Sequence, residues 1–262
     1  MPQVAPSARS AQKEFYDARY ETGYMRDFVH VYEATRLRQV SAVLRRLARA
    51  GVRPESILDY GCGEGRWFDV LGETFPGAQL GGADISARGL DIAHRDHPDA
   101  RLVLMDDERV PLEDGSQDLV LSVEVLEHVA DVARATAEIG RLLRPGGIAV
   151  VTTPCANPLS LEWTVNRLRG GLEPTPDGYG RFATDEPGHL RRLRSRDLDV
   201  LLSAAGMQTE RTYFGAHGFT ILMAWLRGVR FSRVRAAIGM LDWWLLRRAP
   251  NGATVVTIAR RR

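Results

Sequence analysis

A chain of 262 residues with 44% hydrophobic and 26% charged side chains is long enough for one sizeable core and has the balance of an ordinary globular protein. Its formal net charge of +2 is too small to argue for nucleic acid as a partner, and the two cysteines, Cys62 and Cys155, imply neither a disulfide framework nor a metal knuckle. The first ten residues lack the basic and then apolar start of a secretory leader, and no apolar run reaches the roughly 20 residues of a membrane span, so a cytoplasmic protein is expected.

Helical spacing over residues 13–20 and 29–50, the second with Val31, Leu37, Val40, Leu44 and Leu47 recurring on one side, predicts two helices ahead of the first strand. They are expected to form an N-terminal helical cap over residues 1–50, with the main domain over 51–262. Phe15, Tyr16, Tyr20 and Tyr24 lie in this cap; most of them are expected to pack, with Tyr16 and Tyr20 retained as residues that can cover a ligand. The segment I-L-D-Y-G-C-G-E-G over 57–65 then reads as a buried parallel strand with Asp59 at its carboxyl end. The alternating glycines Gly61, Gly63 and Gly65 make a turn too tight for side chains, and it leads into a helix over 66–74. A ligand lying on that backbone sits at a helix N-terminus, where free N–H groups favour a negative or polar group. A dinucleotide fingerprint carries its acid well after the glycines, whereas here the acid precedes them, which argues against NAD.

A second strand is predicted over 80–84 (L-G-G-A-D), a helix over 87–95 and a third strand over 101–105, followed by Asp106, Asp107 and Val110-Pro111-Leu112. A fourth strand over 117–123 leads to Glu124-Val125-Leu126-Glu127-His128-Val129, and 142–154 reads as a helix end, a Pro145-Gly146-Gly147 turn and a fifth strand. With D-x-G-x-G-x-G at 59–65, this succession resembles the class I S-adenosylmethionine (SAM) dependent methyltransferases, in their small-molecule branch, strongly over residues 55–155. The resemblance implies an α/β fold: a doubly wound, mostly parallel seven-stranded sheet of Rossmann-like type with helical lid insertions. It implies a SAM site formed by Asp59, Gly61, Cys62, Gly63, Gly65, Asp84, Ile85, Asp106, Asp107 and Val123. In it Asp84 takes both ribose hydroxyls, Asp106 accepts from the adenine amino group and Asp107 contributes mainly its backbone. Trp67 and Phe68 stand where many relatives have smaller residues, with Trp67 able to line the cofactor end of the pocket. The E-x-x-E-H stretch is similar to that of the ubiquinone-biosynthesis O-methyltransferases, which implies Glu124, Glu127 and His128 as ligands of a divalent metal such as Mg2+. The alternative is a histidine that hydrogen-bonds backbone.

A sulfonium methyl is attacked in line by an incoming lone pair, and a hydroxyl acceptor needs its proton removed. His128, His189 (in E-P-G-H-L-R-R) and Glu124 are the candidate catalytic residues. For His189 the alternative is a loop anchor, and Arg181, Arg191 and Arg192 either hold a carboxylate or phosphate or are solvated. His30, His94, His97 and His217 have no motif context. A helix over 195–205, capped by Ser195 and stopped by Gly206, and strands over 208–214 and 254–260 complete the expected alternation. Two insertions enclose the acceptor. Residues 155–194 carry a short helix over 159–168, and residues 215–252 carry apolar helical stretches over 219–226 and 238–246 with Trp225, Trp243, Trp244 and many arginines. The second insertion reads as a lid or homodimer contact, with a surface for an anionic, glycan or lipid-linked substrate as the sharper alternative. The expected function is SAM-dependent O-methylation of a hydroxyl on a small metabolite, such as a sugar, glycan or natural-product intermediate. Transfer to nitrogen or carbon, other SAM chemistry, and non-enzymatic SAM binding are the alternatives.

Overall fold

A computed structural model describes residues 8–22, 31–158, 160–183, 185, 188–218 and 232–262. In chain order the elements are α1 (Ala8–Glu21), α2 (Val31–Arg49), β1 (Ser56–Tyr60), α3 (Phe68–Thr74), β2 (Gln79–Asp84), α4 (Ala87–Asp96), β3 (Arg101–Leu104) and β4 (Gln117–Val123). They continue as α5 (Val132–Leu142), β5 (Leu143–Pro154), α6 (Leu161–Arg169), β6 (Leu172–Pro174), β7 (Gly180–Phe182), α7 (Ser195–Ala204), β8 (Met207–Gly215), α8 (Ser232–Leu246) and β9 (Thr254–Arg261). Tyr24, His30, Trp225 and the apolar stretch 219–226 lie outside the described residues.

Seven strands form one sheet in the order β3-β2-β1-β4-β5-β9-β8. The first five strands are parallel, and β9 runs antiparallel to both β5 and β8. The central strands are apolar on both faces, as a sheet covered by helices on each side requires. Ile57, Leu119, Leu121, Ile148, Val150 and Ile258 point into one core, shared with α2, α3, α4 and Trp243 of α8. Their neighbours Leu58, Val120, Ala149, Val151 and Val255 point into the other, shared with α5 and α7. Since the side-chain period of a strand is two, this alternation fixes the register.

Local details depart from the sequence reading in places. The glycine turn runs two residues further than expected, with Phe68 N–H donating to Gly65 O at 3.1 Å, so α3 starts at Phe68. The cap of α7 is Arg194, not Ser195. Leu198 N–H donates to Arg194 O at 3.1 Å, which makes Ser195 the first residue inside the helix, and Asp197 reaches back to accept from Arg194 N–H at 2.8 Å. Pro145-Gly146-Gly147 forms an irregularity inside β5, where the pairing steps from Gln117↔Leu143 to Leu119↔Ile148. Gly146 there has φ +79°, a conformation open to glycine.

The expected cap is in two parts. Val40, Val43, Leu44 and Leu47 of α2 are buried in the core, so this helix is an integral layer, whereas α1 lies over the loops at the carboxyl ends of the strands. The 155–194 insertion holds α6 and an unforeseen β6–β7 hairpin. In the described part of the second insertion, Trp243 is buried against Tyr213, with ring centroids 5.5 Å apart. Leu241, Trp244 and Leu245 are exposed, and the buried Asp242 accepts from His217 N–H at 2.9 Å. Among the described residues no helix is long and apolar enough to cross a membrane.

Candidate active site

Strands β1 and β4 are neighbours, yet the chain leaves them in opposite directions along the sheet. Such a switch point opens a crevice beyond the carboxyl ends of the strands, where ligands bind in open α/β sheets. The loop after β1 is the glycine turn, and the loop after β4 is the E-x-x-E-H turn.

In the glycine turn the N–H groups of Gly61 and Cys62 both donate to Ala83 O, at 2.7 and 3.0 Å. Gly61, Gly63 and Gly65 have φ of +78°, +50° and +79°, so each stands where an L side chain is strained. A Cβ on Gly61 would overlap Val125, and one on Gly63 would overlap the Tyr20 hydroxyl. Val125 belongs to the E-x-x-E-H turn, so the two loops touch through the missing side chain of Gly61. The Asp84 carboxylate accepts from Gly63 N–H and Ser86 N–H, both at 2.8 Å. Asp59 is buried and its Oδ2 has no hydrogen-bond partner.

Burial first, and Asp84 second, push the Asp59 carboxyl up to about 8. Burial likewise raises Asp84 to about 6, partly offset by the Ser86 and Gly63 N–H groups. Two acids beside a glycine turn, one with an unpaired buried oxygen, fit a ligand that brings positive charge, as the ammonium and sulfonium of SAM do. Ile85 and Val123 are half-buried after β2 and at the end of β4. Asp106 is exposed and exchanges backbone hydrogen bonds with Arg109, both 3.0 Å, and Asp107 has φ +55°. The Cys62 and Cys155 thiols are free and buried, and burial pushes Cys155 up to about 12.

Across the crevice, Glu124 has φ +55°, and its carboxylate accepts from Arg36 Nη2 at 2.8 Å and Thr152 Oγ1 at 3.0 Å. Glu127 is fully buried; its Oε2 accepts from Thr153 Oγ1 at 3.0 Å, and its Oε1 lies 3.8 Å from His128 Nε2. Burial foremost, then Glu124, push the Glu127 carboxyl up to about 8. His128 Nδ1 is 2.8 Å from Gly188 O, and its ring centroid lies 4.8 Å from that of His189 and 5.6 Å from Tyr16. His128 and His189 therefore come together from loops 61 positions apart in the chain, and Glu124 faces Arg36 instead. Among the described residues, the group whose possible ligand atoms lie within 4.8 Å of one another is Glu127, His128 and His189. The expected set of Glu124, Glu127 and His128 is not brought together.

Two arginines considered as anion binders or solvated residues are neither. Arg191 is 3% exposed and donates to Leu126 O at 3.0 Å, Val129 O, and Ala130 O at 3.1 Å, with its Nε on Asp177. Arg192 is 8% exposed, lies over Phe182, and binds Asp185 and Glu162 through paired contacts of 2.6–3.1 Å. Burial raises the Asp185 carboxyl, but His189 and Arg192 outweigh it and hold it at about 2. Asp185, Arg36 and the buried roles of both arginines carry no sequence signal, because each depends on a partner many residues away or on a loop of irregular shape.

The switch-point crevice, the glycine turn with its two acids and the 3-2-1-4-5 parallel strands ending in an antiparallel pair define a class I SAM-dependent methyltransferase fold. The profile of the methyltransferase-domain family matches residues 32–212, more than half of the chain, and the chain belongs to that family. It is 33% identical over 192 residues to a probable S-adenosylmethionine-dependent methyltransferase of Mycolicibacterium smegmatis, covering 69% of this chain and 62% of that protein. It is 32% identical to the ubiquinone biosynthesis O-methyltransferase of Thiobacillus denitrificans, over 70% of this chain and 74% of that one. A solved structure of the Burkholderia thailandensis 1,6-didemethyltoxoflavin-N1-methyltransferase, with bound 1,6-didemethyltoxoflavin and S-adenosylhomocysteine, superposes with a TM-score of 0.58 at 19% identity. That match covers all of this chain and 92% of that chain. The chain spans 62%, 33% and 49% of the length of the first curated relatives it matches.

Proposed function

We propose that this protein transfers a methyl group from SAM to a hydroxyl of a small metabolite, of the sugar, glycan or natural-product kind. The observation that carries the reading is the pairing of His128 and His189 beside the buried Glu127, in the loop that touches the glycine turn through Val125 and Gly61. An amine needs only to be neutral to attack, whereas an aliphatic hydroxyl must lose its proton as the C–O bond forms. A cluster of proton acceptors next to the methyl donor suits the second kind of acceptor. The O-methyltransferase name of the Thiobacillus denitrificans relative supports the same choice.

Bound in the crevice, SAM supplies the methyl on a sulfonium, the sulfur keeping the bonding pair as the methyl passes to oxygen. Asp59 faces the cationic end of SAM and Asp84 takes the ribose hydroxyls; Asp106 and the Asp107 backbone serve its adenine end. Glu127, His128 and His189 serve the hydroxyl proton, either as its acceptors or as holders of an ion that acidifies it. The 155–194 insertion and α1 close over the acceptor. In this reading the acceptor is a small molecule rather than nucleic acid, the enzyme works in the cytoplasm, and the exposed face of α8 joins two copies.

The test is incubation of the chain with methyl-labelled SAM and a panel of sugars, catechols and amines, with products identified by mass and by acid and base stability. Label held as an ether on oxygen is expected. Label found on nitrogen or carbon across the panel would overturn the acceptor assignment, and calorimetry showing no affinity for SAM or its demethylated product would overturn the cofactor assignment.

A further inference from the structure

Glu127 is fully buried, and its Oε1 has no hydrogen-bond partner while pointing towards His128 Nε2 at 3.8 Å. A carboxylate oxygen left without a donor in a dry site is costly, and it is retained where a cation or proton completes it. The histidine facing it is already oriented. Its Nδ1 meets the Gly188 carbonyl at 2.8 Å, so Nδ1 carries the hydrogen and Nε2 presents a lone pair towards Glu127. His189 turns its Nδ1 towards the Asp185 carboxylate at 3.8 Å, a gap wider than a hydrogen bond, and Asp185 is in turn clamped by Arg192 and by Phe182 N–H at 2.9 Å. Imidazoles whose second nitrogen is directed at a carbonyl or carboxylate are what metal-binding histidines show.

We propose that Glu127, His128 and His189 form a seat for a first-row transition divalent cation, with Glu124 excluded from it by its ion pair with Arg36. The three ligand atoms lie within 4.8 Å of one another, so a short inward movement closes them onto one ion. The donor set also selects the ion. Two imidazoles and one carboxylate suit Mn2+, Fe2+, Co2+ or Zn2+, whereas Mg2+ prefers an all-oxygen shell. This departs from the Glu-Glu-His set and the Mg2+ that the sequence resemblance implies. Such an ion would acidify a hydroxyl bound to it. That role rests on the O-methylation reading; the seat does not.

The experiment is a titration of chelator-treated, full-length protein with Co2+, followed by its visible d–d absorption, with Mn2+ followed by electron paramagnetic resonance. One ion per chain is expected, undisturbed by an equal concentration of Mg2+. Glu127→Gln and His189→Gln should each weaken Co2+ binding at least about 100-fold, Asp185→Asn about 10-fold to 100-fold, and Glu124→Gln by less than about threefold. Each variant's SAM affinity by calorimetry reports that its fold is intact, and should a ligand variant fail to fold, Asp185→Asn decides. No stoichiometric Co2+ on the wild-type protein, Co2+ affinity unchanged in His189→Gln or Asp185→Asn, or binding that requires Glu124 would overturn the proposal. SAM binding without Co2+ binding would do so while leaving the methyltransferase reading in place.

Discussion

Asp59 is the residue with the most to lose from ionising. In the unfolded chain its carboxyl titrates near the usual carboxylate value of about 3.9, and in the fold it is held at about 8 by burial, with Asp84 adding to the shift. Between those values the folded protein holds a proton that the unfolded chain has released. The associated stability is fully present below about pH 4 and is lost as pH rises through 8, by at most about 1.4 kcal/mol per pH unit. Urea denaturation of the ligand-free protein at pH 5.5, 6.5 and 7.5 should show this fall, and Asp59→Asn should make it shallower while leaving the share that Glu127 and Asp84 add with the same sign; an unchanged slope in the variant would disprove the assignment. A cation near Asp59 and hydroxyl donors on Asp84 both favour the ionised carboxylates. SAM binding at pH 7 should therefore release protons, read as a binding enthalpy that varies with the ionisation enthalpy of the buffer.

At the level of elements, the 155–194 insertion and the E-x-x-E-H turn are held as one body by Arg191, whose guanidinium collects the carbonyls of Leu126, Val129 and Ala130. Leu190 N–H adds a bond to Glu127 O at 2.8 Å. Arg191→Met removes the donors and leaves buried carbonyls unpaired, so a loss of about 2–4 kcal/mol in urea denaturation is expected. SAM affinity should stay within a few-fold, because Arg191 makes no bond to the glycine turn or to Asp84; a large loss of SAM affinity with unchanged stability would reverse this reading. This junction also marks where the sequence stops being legible. Strands β1, β2, β4 and β5, α4 and the glycine turn announce themselves through apolar runs and short-range spacing, and the sheet is the mostly parallel, seven-stranded one expected. The β6–β7 hairpin, the Arg194 cap and the partners of Arg191 and Arg192 depend on distant contacts or irregular backbone. The sequence reading therefore had His189 near the site but neither its partner Asp185 nor the withdrawal of Glu124 to Arg36.

Over the whole molecule, two helix layers hold a sheet that is buried on both faces, and everything chemical lies along the carboxyl ends of β1, β2 and β4. What spans that rim is α1. Its Tyr20 hydroxyl rests against Gly63, Asp17 bonds Ser86 Oγ, Tyr16 stacks edge-on to His128, and Phe15 lies 3.2 Å from where a Cβ of Gly188 would stand. One helix thus touches the glycine turn, the start of α4, the E-x-x-E-H turn and the insertion. Its side chains from Gln12 to Glu21 are half-buried or exposed and absent from both main cores, so it can lift without unfolding the sheet, as lids that gate ligand exchange do. Removing the Tyr20 ring should therefore change rates more than stability. In stopped-flow measurements of intrinsic tryptophan fluorescence, with Trp67 beside the glycine turn as a natural reporter, Tyr20→Ala should speed both association and dissociation of SAM several-fold. The cost in unfolding free energy should be no more than about 1–2 kcal/mol. If both rates match the wild type, α1 does not gate the site; if stability falls by far more, α1 belongs to the core and the gating role fails with it.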